Sequence, residues 1–291
     1  MKILITGCNG QLGAELCKCF ERGYTELGTP NVLKSKNEII AVDIDKLDIS
    51  DLEAVNLLFE KEKFDAVINC AAYTNVNGCE TEIDTAFRAN ALGPRNLAIA
   101  VEKIGAKLIH ISTDYVFSGD GNKPYTEWDK CDPQSVYGKS KLLGEQYVEQ
   151  FCSRYFIVRT AWLYGYAGNN FVKTMLRINR EKGFCKVVND QFGNPTNAAD
   201  LAHHVLKLVD TEEYGIYHGT GKGVCSWYEF TKKIVELAGI ESEVFPCTTE
   251  EYPTPAKRPA YSALENMMFR CGVGDEFREW EEALEAFIKN I

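Results

Sequence analysis

The sequence predicts an α/β protein with a doubly wound parallel sheet and a smaller C-terminal lobe. Three observations lead to this fold class. Short apolar runs alternate with helical patterns through the first half of the chain, a glycine-rich turn directly follows the first run, and the alternation weakens after about residue 165. Alternating strands and helices form βαβ units, which place parallel strands in one sheet with helices on both faces.

The predicted elements follow in chain order. Strands are predicted at residues 2–6, 38–42, 66–71, 107–112 and 155–160, and near Val187. Helices are predicted at residues 11–20, 50–62, 83–104, 137–150, 170–180, 198–209, 226–238 and 275–290. The polar stretch 21–37 contains two glycines and a proline, so we interpret it as a surface excursion between the first helix and the second strand.

Composition excludes several classes of protein. The 291 residues are 45% apolar and 25% charged, which is ordinary for a globular chain that buries a large core. The net charge of -10 argues against a nucleic-acid partner, because such proteins carry a basic face. No apolar run has the length of a signal-peptide core or a membrane span. We therefore expect a cytoplasmic protein with no nucleic-acid or membrane partner.

Cysteine and histidine usage indicates free thiols and no metal site. The eleven cysteines are an odd number and include no Cys-x-x-Cys pair, and the four histidines show no metal-ligand spacing. A chain of this size needs no disulfide framework. His203 and His204 lie in an amphipathic helical pattern and are interpreted as surface or packing residues.

A glycine turn predicts a dinucleotide cofactor. Gly7, Gly10 and Gly13 follow the first predicted strand and open the first helix, where backbone amides can approach a pyrophosphate. Asp43 closes the second predicted strand, where its carboxylate can accept hydrogen bonds from the ribose hydroxyls and repel a 2′-phosphate. These features predict NADH or NADPH as cofactor, with NADH favoured by Asp43.

The turn and the strand–helix alternation together predict two unequal domains. Residues 1–164 are expected to form a Rossmann-type NAD(P)-binding domain, rejoined by about 186–220. Most of residues 165–291 are expected to form the smaller lobe.

Three side chains predict proton delivery to a carbonyl oxygen. Thr113 directly follows the fourth predicted strand, and Tyr137 and Lys141 are spaced to be neighbours on the following helix. Hydride arriving at a ketone leaves negative charge on oxygen, so a donor must supply a proton. The phenol of Tyr137 would give that proton, Lys141 would supply positive charge and hold the nicotinamide ribose, and Thr113 would orient the carbonyl. A second Tyr-x-x-x-Lys pair, Tyr228 and Lys232, follows no such strand and is interpreted as a chance pair.

These residues resemble the extended short-chain dehydrogenase/reductase superfamily, and within it the reductases of nucleotide sugars. The resemblance covers nearly the whole chain, in segments 7–13, 69–74, 112–119, 137–145, 159–164, 169–171, 189–196 and 253–262. The last four segments are the more specific to the sugar-nucleotide enzymes. The resemblance implies NAD(P)H-dependent reduction of the 4-keto group of dTDP-4-dehydro-L-rhamnose to dTDP-L-rhamnose, a sugar donor for the cell surface. It also implies a small-molecule nucleotide sugar as the partner and the second lobe as a substrate-binding lobe.

Site residues are carried over position by position. The resemblance implies a catalytic set of Thr113, Tyr137 and Lys141. The expected cofactor-binding residues are Gly7, Gly10, Gln11, Leu12, Gly13, Asp43, Asp48, Ile49, Ala71, Ala72, Tyr73, Thr74, Tyr137 and Lys141. The expected substrate-binding residues are Thr113, Asp114, Trp162, Asn170, Lys173, Gln191 and Arg258. Trp162 also has a second interpretation, as a core aromatic just beyond a strand end.

The chain departs from the family pattern in two places. Asn77 and Gly78 stand where an Asp-Lys pair is common, which places the side-chain contacts of that loop in doubt. Some family members dimerise through a magnesium ion held by glutamates; Glu15 matches one position, but Ala199 stands at another, so magnesium is not expected. We expect a monomer or a weak homodimer.

Two alternative functions remain open. One is a catalytically silent regulatory subunit of the same fold, against which the intact Thr113, Tyr137 and Lys141 argue. The other is a reductase or epimerase of another nucleotide ketosugar. A dehydratase would need an Asp-Glu pair after the threonine, where this chain has Asp114 and Tyr115.

Overall fold

The structure is a computed structural model that describes residues 1–291. Its strands are β1 (Lys2–Thr6), β2 (Glu38–Val42), β3 (Ala66–Asn69), β4 (Lys107–Thr113), β5 (Tyr155–Thr160), β6 (Leu163–Tyr164), β7 (Phe184–Val188), β8 (Phe192–Gly193), β9 (Thr196–Asn197), β10 (Gly215–His218), β11 (Cys225–Ser226) and β12 (Glu243–Cys247). Its α-helices are α1 (Gln11–Arg22), α2 (Leu52–Lys61), α3 (Val76–Cys79), α4 (Ile83–Phe87), α5 (Gly93–Ile104), α6 (Val136–Phe151), α7 (Phe171–Lys182), α8 (Ala198–Val209), α9 (Trp227–Leu237), α10 (Met267–Cys271) and α11 (Trp280–Lys289). Two 3₁₀ turns, Asn31–Lys34 and Asp114–Val116, and a π-helical segment, Arg88–Leu92, complete the list.

Six strands form one parallel sheet in the order β2-β1-β3-β4-β5-β10. The chain leaves β1 toward one edge to form β2 and then returns to form β3 on the other side of β1. The order therefore reverses between β1 and β3, and the crevice outside the carboxyl ends of the strands at such a switch point is where α/β sheets bind ligands.

Side chains alternate between the two faces of the sheet and build two core layers. Ile3 and Ile5 of β1 face a cluster that includes α1 and α8, whereas Leu4 faces a cluster that includes α2, α5 and α6. Strands buried on both faces carry nearly continuous apolar sequence, as β1 does. These layers confirm the predicted fold class, a doubly wound parallel sheet.

A separate apolar cluster lies among later elements. It joins Val172 and Leu176 of α7 to Phe230 of α9 and to Leu284 and Phe287 of α11. The parallel pair β7–β12 and the two-residue antiparallel pair β8–β11 belong to the same half of the chain. In contrast, β10 pairs with β5 and extends the main sheet.

The structure differs from the predicted elements in several places. Strands β6 and β8 to β12 and helices α3 and α10 are absent from the prediction, because each has at most five residues and gives too short a periodic signal. The predicted helix at 83–104 contains a π-helical turn at Arg88–Leu92, just before Pro94, which has no amide hydrogen to donate to a regular ladder. The last helix begins at Trp280 rather than near 275, since residues 275–278 form no regular structure and Glu279 bridges Lys222. No helix combines the length and the apolar character that crossing a bilayer requires.

Candidate active site

A cavity of about 800 Å³ opens at the switch point between β1 and β3. Residues from the glycine turn, from the ends of β2 through β5 and from the start of α6 line it. Its lining contains 17 of the predicted site residues: Gly7, Gly10, Gln11, Leu12, Gly13, Asp43, Asp48, Ile49, Ala71, Ala72, Tyr73, Thr74, Thr113, Asp114, Tyr137, Lys141 and Trp162. Residues distant in sequence are thus brought together by the common carboxyl edge of the parallel strands.

The glycine turn leaves no space for side chains. Gly7 has φ +67°, in the left-handed region, and a Cβ there would lie 2.6 Å from the amide nitrogen of Ala71. A Cβ on Gly13 would lie 2.2 Å from the Gly7 carbonyl oxygen. No side chain caps α1, and its first turn holds no acidic residue. The free amides at the start of this helix therefore suit a pyrophosphate.

Asp43 lies beside this turn. One carboxylate oxygen accepts a hydrogen bond from the backbone amide of Asn9 at 2.9 Å, and the other accepts one from the backbone amide of Ile44 at 2.8 Å. The carboxylate is thereby fixed at the cavity wall at the end of β2, where a ribose would lie in a dinucleotide complex.

Gln11 and Thr160 each leave a buried polar atom of the cavity wall without a partner within the chain. Gln11 donates through Nε2 to the Leu163 carbonyl at 3.4 Å, but its Oε1 accepts nothing. Thr160, which lies opposite Thr113 in the β4–β5 register, has an unpaired Oγ1. Buried polar atoms are nearly always hydrogen-bonded, so these two oxygens fit a polar ligand. A nicotinamide dinucleotide fits the site for two reasons. The glycine turn leaves its backbone open to a pyrophosphate, and the unpaired oxygens of Gln11 and Thr160 can bond polar groups of the cofactor.

The three predicted catalytic residues meet at one wall of the cavity. Thr113 is the last residue of β4, and Tyr137 and Lys141 lie one turn apart on α6. The Ser135 hydroxyl accepts from the Gly138 amide and fixes where α6 begins. The Lys141 ammonium donates to the Ile111 carbonyl of β4 at 2.6 Å, which ties the helix to the strand.

Burial controls the ionisation of this set. Desolvation raises the pKa of Tyr137 well above its ordinary value, and the neighbouring Thr113 hydroxyl opposes the shift. Burial lowers the pKa of Lys141 to about 8, opposed by the Glu145 carboxylate. From the Tyr-x-x-x-Lys spacing, the positive charge of Lys141 would be expected to lower the pKa of the Tyr137 phenol. In the structure the shift is upward, because burial of Tyr137 dominates and the nearby Asp114 raises the pKa further.

Asp114 adds a carboxyl group to the same wall. Its Oδ1 accepts from the Thr113 hydroxyl at 2.9 Å, whereas Oδ2 has no partner and the nearby Ser262 hydroxyl also has none. Burial raises the pKa of Asp114 to about 6, against the lowering effect of the hydroxyl groups beside it. The carboxyl therefore titrates close to neutral pH.

A buried ion pair holds the strands and the helix in register below the site. Arg159 of β5 donates to both carboxylate oxygens of Glu145 on α6, at 2.7 to 3.1 Å. The Ser112 hydroxyl of β4 donates to the same carboxylate. All three residues are almost fully buried. They link the strand that carries Thr113 to the helix that carries Tyr137.

Four predicted substrate residues do not line the cavity. Asn170 caps α7 by accepting from the Lys173 amide, and the Lys173 ammonium donates to the carbonyls of Tyr166 and Gly168. Gln191 donates to the Thr249 hydroxyl. Arg258 lies beside the site, where it donates to the Tyr115 hydroxyl at 2.9 Å and to Asn77 at 3.0 Å.

Asn90 is a site residue that the sequence analysis missed. Its side chain accepts from the Tyr73 amide and donates to the Tyr73 carbonyl and to the Ser140 hydroxyl of α6. It therefore joins the loop after β3 to α6. The available signal was a polar residue on the apolar face of the predicted helix at 83–104.

Tyr115 was also missed as a neighbour of Tyr137. Its ring packs edge-on against Tyr137 with centroids 5.4 Å apart. By comparison, Tyr228 and Lys232 lie on α9 outside the cavity, with the Lys232 ammonium 5.6 Å from the Tyr228 ring centroid.

A parallel sheet with a glycine turn at its switch point, and with threonine, tyrosine and lysine meeting there, defines a nicotinamide-dependent reductase of the short-chain dehydrogenase/reductase class. The chain belongs to the RmlD substrate binding domain family, whose model matches residues 1–291.

Comparison with known proteins agrees with this assignment. The chain is 42% identical to the spore coat polysaccharide biosynthesis protein SpsK of Bacillus subtilis (strain 168), over 99% of this chain and 97% of the relative. It is 37% identical to a dTDP-4-dehydrorhamnose reductase of Aggregatibacter actinomycetemcomitans, over 100% and 98%.

Solved structures show the same relationship. A dTDP-4-dehydrorhamnose reductase of Clostridium acetobutylicum is 50% identical with a TM-score of 0.93, covering 100% of this chain and 99% of its own. One from Bacillus anthracis, in complex with NADP, is 43% identical with a TM-score of 0.93 and the same coverage. The predicted family and enzyme class are confirmed.

Proposed function

We propose that the protein reduces the 4-keto group of dTDP-4-dehydro-L-rhamnose to give dTDP-L-rhamnose, with NADH or NADPH as the reductant. The observation that carries the proposal is the meeting of Thr113, Tyr137 and Lys141 in the cavity that begins at the glycine turn. Family membership over the whole chain supports the choice of substrate. Bound nicotinamide supplies the hydride; the residues of the chain supply the proton and the geometry.

Tyr137 is the proposed proton donor. Its raised pKa keeps the phenol protonated at neutral pH, which is the form needed to protonate an alkoxide as it develops. Lys141, with a pKa of about 8, is mostly charged at neutral pH. One of its three hydrogens goes to Ile111, so two remain for the cofactor ribose and the reacting group. Thr113 orients the carbonyl once its hydroxyl hydrogen is released from Asp114.

Asp43 is proposed to favour NADH over NADPH. Its carboxylate is held at the cavity wall by two backbone amides, so it cannot turn away from a 2′-phosphate without losing both bonds. The relative from Bacillus anthracis was solved with NADP, which supports acceptance of NADPH as a second cofactor. The proposed cofactor-binding residues are the fourteen predicted from the sequence, all of which line the cavity.

Asp114 and Trp162 are the proposed sugar contacts, since both line the cavity beside the catalytic set. Arg258 is proposed to meet the diphosphate, because its guanidinium uses only part of its five donors on Tyr115 and Asn77. Three other predicted substrate residues lie outside the cavity and make hydrogen bonds within the chain: Asn170, Lys173 and Gln191. Their proposed contacts with the substrate require these hydrogen bonds to be replaced by bonds to the substrate.

The proposal includes four further expectations. Magnesium is not required, which the surroundings of Glu15 support: it is buried, its pKa is raised by burial, and its near neighbour is Arg22 at 4.0 Å. The protein is a monomer or a weak homodimer and acts in the cytoplasm. Residues 1–164, rejoined by about 186–220, form the cofactor domain, and most of 165–291 forms the substrate lobe, which the pairing of β10 with β5 supports.

The decisive experiment measures NADH and NADPH oxidation against a panel of nucleotide 4-ketosugars. We expect dTDP-4-dehydro-L-rhamnose to give the highest kcat/KM. Turnover of a different ketosugar, with none of this one, would replace the substrate assignment. Absence of turnover with every sugar, despite cofactor binding, would favour the silent regulatory subunit.

A further inference from the structure

Trp162 holds an unusual backbone conformation. Its φ of +48° makes it the only non-glycine residue of the chain in the left-handed region. Side chains other than glycine rarely adopt that region, and a residue stays there only when its surroundings hold it. Trp162 lies two residues beyond β5, its carbonyl accepts from the Thr196 amide at 3.2 Å, and it lines the cavity.

Trp227 covers one face of this indole. The two rings are stacked with centroids 3.4 Å apart and planes 5° apart. Aromatic pairs more often pack offset or edge-on. Full overlap therefore indicates that contacts with other residues hold both rings in place. Trp227 is the first residue of α9. Its ring also packs against the ring of Phe171 on α7, with centroids 4.3 Å apart.

The start of α9 is unusually well fixed. Ser226 and Glu229 form a reciprocal capping box at its N-terminus. The Ser226 hydroxyl also donates to the Asn189 side chain at 2.7 Å. The first residue of the helix therefore has little freedom to move away from Trp162.

Gly193 lies in close contact with the same indole. It pairs with Cys225 in the β8–β11 ladder, two residues before Trp227. A Cβ at position 193 would lie 2.6 Å from Cε2 and Nε1 of Trp162. One short ladder thus brings both Gly193 and Trp227 against Trp162.

We propose that Trp227 is a positioning residue for the ketosugar: by stacking on Trp162, it fixes that indole in the cavity wall. Trp227 itself does not line the cavity and therefore acts through Trp162. The inference rests on the proposed function, in that it takes the ligand beside Trp162 to be the sugar. Loss of the stack weakens sugar binding and leaves nicotinamide binding unchanged, because the cofactor residues lie on other elements.

Trp227→Leu and Trp227→Phe test this proposal. The measurements are KM and kcat for the ketosugar at saturating NADH, and the Kd of NADH in the absence of sugar. We expect Trp227→Leu to raise KM about 3- to 10-fold, the worth of a stacked aromatic pair, with the Kd of NADH unchanged. Trp227→Phe keeps an aromatic ring and should recover part of the loss. Trp128→Phe is the matched control, since Trp128 is 62% exposed and should leave both constants unchanged.

Circular dichroism supplies a readout independent of activity. Two stacked indoles couple their transitions, so the wild-type protein should show an exciton couplet. Trp227→Phe and Trp162→Phe should both abolish it, and Trp128→Phe should not. If Trp227→Leu does not fold, Gly193→Ala displaces the Trp162 indole from the same stack through a different contact and should raise KM likewise.

Several results would overturn the proposal. These are a wild-type KM in Trp227→Leu, an equal loss of NADH and sugar affinity, and a couplet that is absent from the wild type or survives without Trp227. Failure of the proposed function is distinguishable from these outcomes. If another nucleotide ketosugar is the substrate, the same comparison is made with that sugar. If none is turned over, the calorimetric affinity for dTDP-L-rhamnose replaces KM.

Discussion

The Thr113 hydroxyl donates to the Asp114 carboxylate at 2.9 Å, and this bond limits what Thr113 can offer a substrate. A hydroxyl has one hydrogen to donate. While Asp114 is ionised, that hydrogen is directed at the carboxylate rather than at a carbonyl oxygen. Since burial raises the pKa of Asp114 to about 6, the two residues change their hydrogen bonding near neutral pH.

Asp114→Asn should stabilise the protein above pH 6. The carboxyl has a higher pKa folded than unfolded, so its favourable contribution is complete below about pH 4 and is lost as pH rises through 6. A shift of about two units corresponds to roughly 3 kcal/mol at pH 8. Denaturant unfolding at pH 4 and pH 8 measures the difference. Asp45→Asn, at an exposed carboxylate, controls for net charge; an equal effect of Asp114→Asn at both pH values would contradict the buried-carboxyl account.

Glu145→Gln should destabilise the protein by about 3 kcal/mol or more, because it leaves the Arg159 guanidinium buried without an opposite charge. Chemical denaturation gives the free energy of unfolding. Glu285→Gln breaks the exposed pair with Lys289 and should change little. Similar effects of the two substitutions on the free energy of unfolding would mean that breaking the buried Arg159–Glu145 pair costs no more stability than breaking an exposed pair.

Asp43→Ala should weaken NADH binding and narrow the difference between NADH and NADPH. The substitution removes the ribose acceptor and the charge that repels a 2′-phosphate. Kd values for both cofactors provide the measurement. An unchanged ratio would show that the carboxylate does not face the ribose.

Chelation by EDTA should leave both activity and solution mass unchanged. Ala199 supplies no ligand, and Glu15 is buried beside Arg22. Steady-state rates and light scattering, with and without added magnesium, measure the two properties. A loss of activity or a change of mass on chelation would reveal a metal requirement.

The parts of the fold that were predictable are those with local signals. The glycine turn from Gly7 to Gly13 and the buried strand ending at Thr113 could be read from the sequence, because a turn and an apolar run are encoded over a few residues. Parallel order then brings their carboxyl ends together without further information. The same reasoning places Asp43 at the cavity wall, where it is found.

The rest depends on tertiary contacts. Asn90 is polar within a helical pattern, and only the approach of Tyr73 and Ser140 explains it. The stack of Trp227 on Trp162 joins residues 65 positions apart, and no local pattern predicts it. The upward shift in the pKa of Tyr137 follows from burial, which the Tyr-x-x-x-Lys spacing does not specify.

The two Tyr-x-x-x-Lys pairs allow the most direct test of the proposed chemistry. Tyr137→Phe removes only the hydroxyl of the residue in the cavity, and Tyr228→Phe makes the same change on α9 outside it. Both variants should fold and bind NADH. With dTDP-4-dehydro-L-rhamnose, kcat should fall by about two to four orders of magnitude in Tyr137→Phe, the usual contribution of a positioned general acid, and should stay near the wild-type value in Tyr228→Phe. Near-normal turnover by Tyr137→Phe would contradict the account, because the proton would then come from another group.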